Sequence, residues 1–241
     1  MMFDVPNTYR PKLDTLRRII QKRAAFPEAM ALALDVHAMT HGSEISPSQS
    51  PTYEDDIRAG LSDEDFARLP APDARTTFSL RDGYLEPCYT LAWHFWHITR
   101  IEDLVGNILI RNGPQVFDAK WAQRLAATAT DTGNAMPLAD IAVFSKQLKA
   151  QEFLQYRFAV GKRTRAIIQS LVPEDMKRKP TPEGLSRLMT EGGLTEQKES
   201  KWLLDFWGNR TVGGLILLPL TGHHVMHLDA CVKLKNNITG R

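Results

Sequence analysis

The chain has 241 residues, of which 43% are hydrophobic and 24% charged, a composition typical of a soluble globular protein. Its length allows a substantial core without disulfides, and its two cysteines, Cys88 and Cys231, exclude a disulfide framework and fit a reducing compartment. A net charge of +2 argues against nucleic acid or an anionic membrane as the main partner, and the first residues show no secretory leader. We therefore expect a cytoplasmic protein.

The first segment with helical periodicity covers residues 11–41, and Pro27 predicts that it is kinked or divided into two helices. His37 and His41 lie one helical turn apart near its end, next to Gly42. Imidazoles in a last helical turn commonly cap backbone carbonyls, so we favour that role for this pair over metal binding.

Residues 43–83 are rich in Ser, Pro, Asp and Gly and lack a long apolar period. Two short helices are expected there, one near residues 53–59 and one with Ser62 as its N-cap. The segment is interpreted as an insertion that either covers a site or simply lies on the surface.

The second main helix is predicted for residues 87–112 and ends at Gly113-Pro114. Its predicted polar face carries Arg100, Asp103, Asn107 and Arg111. His94 falls inside the apolar sector and His97 at its margin. Glu102 lies near the middle of the apolar side, where it needs either an arginine of another helix, which we favour slightly, or a ligand histidine.

Residues 138–171 form a third predicted helical region, and short helices are expected within about residues 173–208. The basic side chains of the third region could bind an anion, but a solvated face is the commoner explanation. These side chains are Arg157, Lys162, Arg163 and Arg165. No β-alternation, nucleotide-binding loop, nucleophile elbow or CxxC motif is present.

The last helix carries the densest group of titratable side chains, Gly222-His223-His224-Val225-Met226-His227, just after an expected bend at Pro219. His223 and His227 share the buried face of this helix, and imidazoles one turn apart can chelate one metal ion. A site with an open position needs three protein ligands, which the stretch Trp93-His94-Phe95-Trp96-His97 can complete. Helix period alone favours His94 as the third ligand, and packing of these histidines among tryptophans is the alternative.

Together, the tryptophan-histidine stretch followed by Glu102 and the late H-x-x-x-H resemble the DinB-like (YfiT-like) metal-binding proteins, from Tyr84 onward. The resemblance implies an all-α, four-helix bundle, here a single domain over residues 1–241 with an insertion at about 43–83 and extra helices at about 173–208. It also implies that His97, His223 and His227 are the metal ligands, with His94 as a neighbouring pocket residue. His227 is followed by Leu228-Asp229-Ala230 instead of the basic residue and Gly-Gln of many relatives.

The resemblance implies a divalent metal ion, Zn, Ni, Fe or Mn, and a metal-dependent transferase or hydrolase. Several relatives are thiol-dependent S-transferases or isomerases, so the expected substrate is a small molecule such as a low-molecular-weight thiol. The polar side chains expected near it are Arg100, Tyr156, Arg157 and Arg210, beside His94 and Glu102. The alternative is a non-catalytic, metal-binding or stress-response bundle, or a homodimer in which the insertion or a partner subunit covers Trp93 and Trp96.

Overall fold

The computed structural model describes residues 5–45, 51–69, 78–79, 85–86 and 89–240 and confirms the predicted all-α class. These ranges contain α1 (Val5–Ile19), α2 (Phe26–Met39), α3 (Tyr53–Arg58), α4 (Asp63–Ala67), α5 (Leu91–Asp103), α6 (Ala119–Leu125), α7 (Leu138–Gln147), α8 (Ala150–Ser170), α9 (Pro182–Thr190), α10 (Lys198–Gly208), α11 (Val212–Leu217) and α12 (His223–Thr239).

Four helices, α2, α5, α8 and α12, form the bundle that carries the candidate site. α5 packs against both α8 and α12, while α2 packs against α8 and against the turn that precedes α12. α1 lies along α2. Pro27 occupies the first turn of α2, where its missing N–H costs nothing, so the expected division of the first segment is confirmed.

Two of the long helices widen into π-helical turns. α5 continues as a π-helix over Leu104–Ile110, and Leu218–Gly222 joins α11 to α12. Pro219 lies in the second of these turns, as its expected bend requires, and the Thr221 hydroxyl donates to the carbonyls of Ile216 and Leu217 at 2.8 Å. This hydroxyl satisfies carbonyls that the irregular turn leaves without their usual partners.

The buried apolar side chains separate into two clusters, one at each end of the bundle. In α5 the division falls between Ile98 and Ile101, and in the last helices it falls between Leu220 and Val225. Buried polar side chains fill the level between them: His37, His41, Thr99, Arg100, Glu102, Thr164, Thr221 and His224. The core is therefore two apolar halves with a polar layer between them.

Several predicted boundaries change. The third helical region is divided at Leu148-Lys149 into α7 and α8. A two-residue antiparallel pair, Phe78–Ser79 with Leu85–Glu86, forms where no strand was expected. Ser62 caps α4, as predicted, by accepting from the Asp65 amide. The extra helical region contains a 3-10 turn (Pro173–Lys177), α9 and α10.

Three of the four side chains on the predicted polar face of α5, Arg100, Asp103 and Asn107, are completely buried, while Arg111 is exposed. The α8 side chain Tyr156 and the backbone amides of residues 116–117 provide hydrogen-bond partners for this face. The predicted helical period is correct, and a buried side chain and backbone amides take the place of water as hydrogen-bond partners of this face.

One helical stretch, Val212–Thr239, is long and apolar enough to cross a membrane by length and composition alone, although we had expected no such span. Half of its most apolar window is buried inside the protein, and core helices of soluble proteins share this composition. The stretch is thus weak evidence for a membrane location.

Candidate metal centre

The structure brings together the three histidines that the resemblance selects. His223 and His227 lie one turn apart at the start of α12, with ring centroids 4.5 Å apart. The His97 ring of α5 lies 5.1 Å from the first and 4.7 Å from the second. One ligand atom from each residue lies within 4.8 Å of the others, and we call this group the trihistidine cluster.

The backbone of a loop fixes the orientation of His97. Its Nδ1 lies 2.8 Å from the carbonyl oxygen of Thr132, and because a carbonyl can only accept, Nδ1 carries the proton. The Trp93 indole stacks on the same ring with centroids 4.7 Å apart and planes 11° apart. The Nε2 lone pair of His97 is therefore left for a ligand, which is the arrangement that metal-bound histidines usually show.

His94 contacts the trihistidine cluster through the His227 ring. The two Nδ1 atoms are 2.8 Å apart, so one ring donates and the other accepts. His94 Nε2 and His223 Nδ1 are buried and have no hydrogen-bond partner among the described residues. His94 is thus placed to orient His227, as the Thr132 carbonyl orients His97.

The surroundings keep these imidazoles uncharged. Burial lowers the pKa of His97 from 6.5 to about 4 and that of His94 to about 3. Burial, followed by the neighbouring imidazoles, lowers the pKa of His223 and His227 well below the usual value. Neutral imidazole is the form that binds a metal ion, so the ligand set needs no deprotonation near neutral pH.

Arg100 and Tyr156, expected beside a substrate, belong to a buried network around Asp103. Arg100 donates to Asp103, Tyr156, Gln115 and the Thr130 carbonyl. Burial raises the pKa of Tyr156 well above normal, so its hydroxyl stays protonated and donates to Asp103 at 2.7 Å. The polar atoms of both side chains are therefore hydrogen-bonded inside the protein.

The other two predicted arginines also point elsewhere. Arg157 is buried and donates to Glu54 at 2.7 Å, to Thr99 Oγ1 and to the Thr40 carbonyl. Arg210 is exposed, with its guanidinium carbon 4.5 Å from the ring centroid of Phe206. Among the described residues, the charged groups of these two arginines make no contact with the trihistidine cluster.

Glu102 hydrogen-bonds histidines that sequence reasoning had not assigned to it. Its Oε1 lies 2.7 Å from His37 Nε2, and its Oε2 lies 2.9 Å from His41 Nε2 and 3.5 Å from His224 Nε2. The favoured pairing with an arginine is wrong. His41 does cap a carbonyl at the end of α2, since its Nδ1 lies 3.0 Å from the His37 carbonyl oxygen, but His37 and His41 also hydrogen-bond Glu102. We call these four residues the Glu102 cluster.

The tryptophans of α5 are covered by the same chain. Trp93 Nε1 donates to the carbonyl of Gly133, and Trp96 Nε1 donates to that of Asp131 at 2.9 Å. Neither the insertion nor a partner subunit is needed for these contacts. The loop that covers both indoles also supplies the carbonyl that holds His97.

Comparison with known proteins identifies the family of this chain. A family model described as the DinB superfamily matches residues 56–229, which is well over half of the chain and includes α5 and the first turns of α12. No curated protein matches the sequence.

Proposed function

This chain belongs to the DinB superfamily, and from that premise we propose that it is a metal-dependent enzyme whose divalent ion is held by His97, His223 and His227. The reaction proposed is a thiol-dependent S-transfer or a hydrolysis, with a small molecule such as a low-molecular-weight thiol as substrate. The ion is a first-row divalent metal such as Zn, Ni, Fe or Mn, because neutral imidazoles suit all of them.

The observation that carries the proposal is the convergence of three neutral imidazoles, one buried and two half-buried, with one ring already oriented by a carbonyl. Packing alone does not require this arrangement, because His223 Nδ1 has no partner among the described residues and a buried polar atom without a partner costs about 1–3 kcal/mol. A bound cation offsets that cost by using the imidazole lone pairs. The donor set therefore fits a divalent metal.

When bound, such an ion lowers the pKa of a coordinated water or thiol, so that hydroxide or thiolate forms near neutral pH. The protein residues perform the supporting steps. The Thr132 carbonyl holds the Nδ1 proton of His97, and the Nδ1 contact between His94 and His227 fixes the second ring. Trp93 shields the face of His97 from water.

The structure changes what we propose for substrate recognition. Arg100 and Arg157 are saturated by internal acceptors, so binding of a thiol's carboxylates by either one would first require breaking a buried network. Arg210 is the exposed member of the expected set. We therefore do not propose Arg100 or Arg157 for recognition, and of the expected arginines Arg210 stays a candidate.

The test is elemental analysis of the purified protein beside His97→Ala, His223→Ala and His227→Ala. Each substitution is expected to lower the affinity for Zn²⁺ by at least about tenfold, with the fold retained. Unchanged affinity in all three variants overturns the site. Thiol-transfer and hydrolase screens on the metal-loaded wild type then separate the enzyme from the non-catalytic metal-binding bundle, which would bind metal and turn over nothing.

A further inference from the structure

The Glu102 cluster lies outside the trihistidine cluster yet uses the same two helices. Its members come from three elements: His37 and His41 from the end of α2 and just beyond it, Glu102 from α5, and His224 from α12. All four side chains are at most 1% exposed. Six of the seven histidines of the chain thus belong to one of the two clusters, and the seventh, His94, contacts the trihistidine cluster through His227.

Hydrogen-bond geometry requires a positive charge between His41 and Glu102. His41 Nδ1 lies 3.0 Å from the His37 carbonyl, so it carries the proton. A neutral His41 then directs the Nε2 lone pair at Glu102 Oε2, only 2.9 Å away. Two lone pairs at that distance repel each other unless a proton or a cation lies between them.

A single proton does not satisfy the rest of the cluster. His224 is buried with neither ring nitrogen hydrogen-bonded, although its Nε2 lies 3.5 Å from Glu102 Oε2. His37 Nδ1 also lacks a partner in the part of the chain that the structure describes. Buried polar atoms without partners are rare in folded proteins and call for an ordered water or ion, and here they surround a carboxylate.

The ligand atoms have the spacing of a metal site. One nitrogen from each of His37 and His41 and one Glu102 oxygen all lie within 4.8 Å of one another. Ligands about 2.0–2.2 Å from a shared ion lie about 3.0–3.5 Å apart, slightly farther than the 2.7 Å from His37 Nε2 to Glu102 Oε1 and the 2.9 Å from His41 Nε2 to Glu102 Oε2. Two imidazoles and one carboxylate form a ligand set for first-row divalent metals.

We propose that His37, His41 and Glu102, with His224 as a fourth donor, bind a second divalent transition-metal ion in the middle of the bundle. This site is independent of the trihistidine site and of the activity proposed for it. Because its ligands join α2, α5 and α12 and are fully buried, the ion holds the polar layer of the core together.

The fold also provides space beside the ligands and a route to them. A cavity of about 250 Å³ is lined by His41, Glu54 and Arg157, and reaches Glu44, whose side chain is 57% exposed. Gly161 of α8 also lies so close that a Cβ there would come 2.2 Å from Ile45 Cδ1 and 2.7 Å from His41 Cδ2. The absence of a side chain at residue 161 therefore lets the His41 ring reach Glu102.

The experiment measures Zn²⁺ bound per full-length chain after chelator treatment, reconstitution and dialysis. The wild type is expected to retain about two ions, and Glu102→Gln and His97→Ala about one each. The double variant is expected to retain none. The stoichiometry thus reports each site separately.

The variant His224→Leu distinguishes loss of the metal site from a folding defect. Since His224 makes no hydrogen bond, an apolar side chain of similar size is expected to leave the metal-free melting temperature unchanged or higher. The second ion is expected to bind at least about tenfold more weakly in this variant. A purely structural hydrogen-bond cluster would show no such loss.

The two possible failures are distinguishable. If the wild type binds one ion that His97→Ala removes and Glu102→Gln and His224→Leu retain, the second site is overturned, and the cluster is a protonated His41–Glu102 ion pair. If Glu102→Gln removes the one ion and His97→Ala retains it, the second site stands and the trihistidine proposal falls.

Discussion

Asp103→Asn tests whether a buried carboxylate on α5 secures the loop that orients His97. The Asp103 carboxylate accepts five hydrogen bonds: Oδ1 from Asn107 Nδ2 and the Val116 amide, and Oδ2 from Arg100, Tyr156 and the Phe117 amide. Arg100 in turn donates to the Thr130 carbonyl at 2.9 Å, two residues before Thr132. The substitution therefore perturbs both the core and the support of the site.

The expected loss of stability follows from the number of hydrogen-bond donors that lose their acceptor. An asparagine keeps one oxygen, so its NH₂ group must face at least the two donors that Oδ1 now accepts. Two buried donors without acceptors cost about 2–6 kcal/mol, and removing one charge of a buried ion pair costs about 3–5 kcal/mol. These estimates describe one perturbation and overlap at about 3–5 kcal/mol, equivalent to a fall in melting temperature of about 6–20 °C.

Thermal denaturation followed by circular dichroism measures the effect. Asp14→Asn is the matched control, because Asp14 also pairs with an arginine but is 63% exposed, and its melting temperature should stay that of the wild type. Asp103→Asn should also weaken Zn²⁺ binding at the trihistidine cluster. A melting temperature within a degree or so of the control would refute the reasoning about the network.

Three further outcomes are expected. His94→Phe should weaken Zn²⁺ binding at the trihistidine cluster by about 10–100-fold, measured by chelator competition, because His227 loses its Nδ1 partner; complete loss would make His94 a ligand instead. In metal-free protein, the pKa values of His97 and His37 are lowered from 6.5 to about 4, so the unfolded chain takes up protons first and stability should fall as pH drops through that interval. A urea midpoint that stays constant there would contradict this. Gly161→Ala should destabilise by about 1–3 kcal/mol through its clash with His41, whereas Gly214→Ala, whose Cβ would meet nothing closer than 3.6 Å, should not; equal melting temperatures would count against the close packing.

Sequence periodicity predicted the helices well because regularly spaced apolar side chains mark each long helix, although α5 is buried on every side. It placed the break at Pro27, the bend at Pro219 and the shared face of His223 and His227. Periodicity also favoured His94 over His97 as the third metal ligand, because it measures how directly a side chain points into the core. The structure brings both to His227, and the difference between them lies in hydrogen bonds, which period does not encode: His97 is oriented by the Thr132 carbonyl, whereas His94 contacts His227.

The Glu102 cluster was missed for a different reason. The spacing of His37 and His41 was visible, and Glu102 stood out on an apolar face, yet nothing local in the sequence connects residues 61 or more positions apart. The neighbouring Gly42 indicated a helix end, and His41 Nδ1 does bond the His37 carbonyl there, but that role leaves the Nε2 atoms of both imidazoles available to Glu102. Only the packing of α2 against the rest of the bundle brings the imidazoles to the carboxylate.

The π-helical turn at Leu218–Gly222 sets the rotational phase of α12. His223 and His224 are adjacent, and each faces a different cluster because successive residues of an α-helix differ by about 100° in direction. A π-helical turn holds about one residue more than an α-helical turn, so this turn takes up an extra residue without rotating α12 relative to α11. Deleting one residue here would therefore leave His223 and His224 facing their present clusters, whereas deleting one residue between His224 and His227 would rotate His227 by about 100° out of the trihistidine cluster.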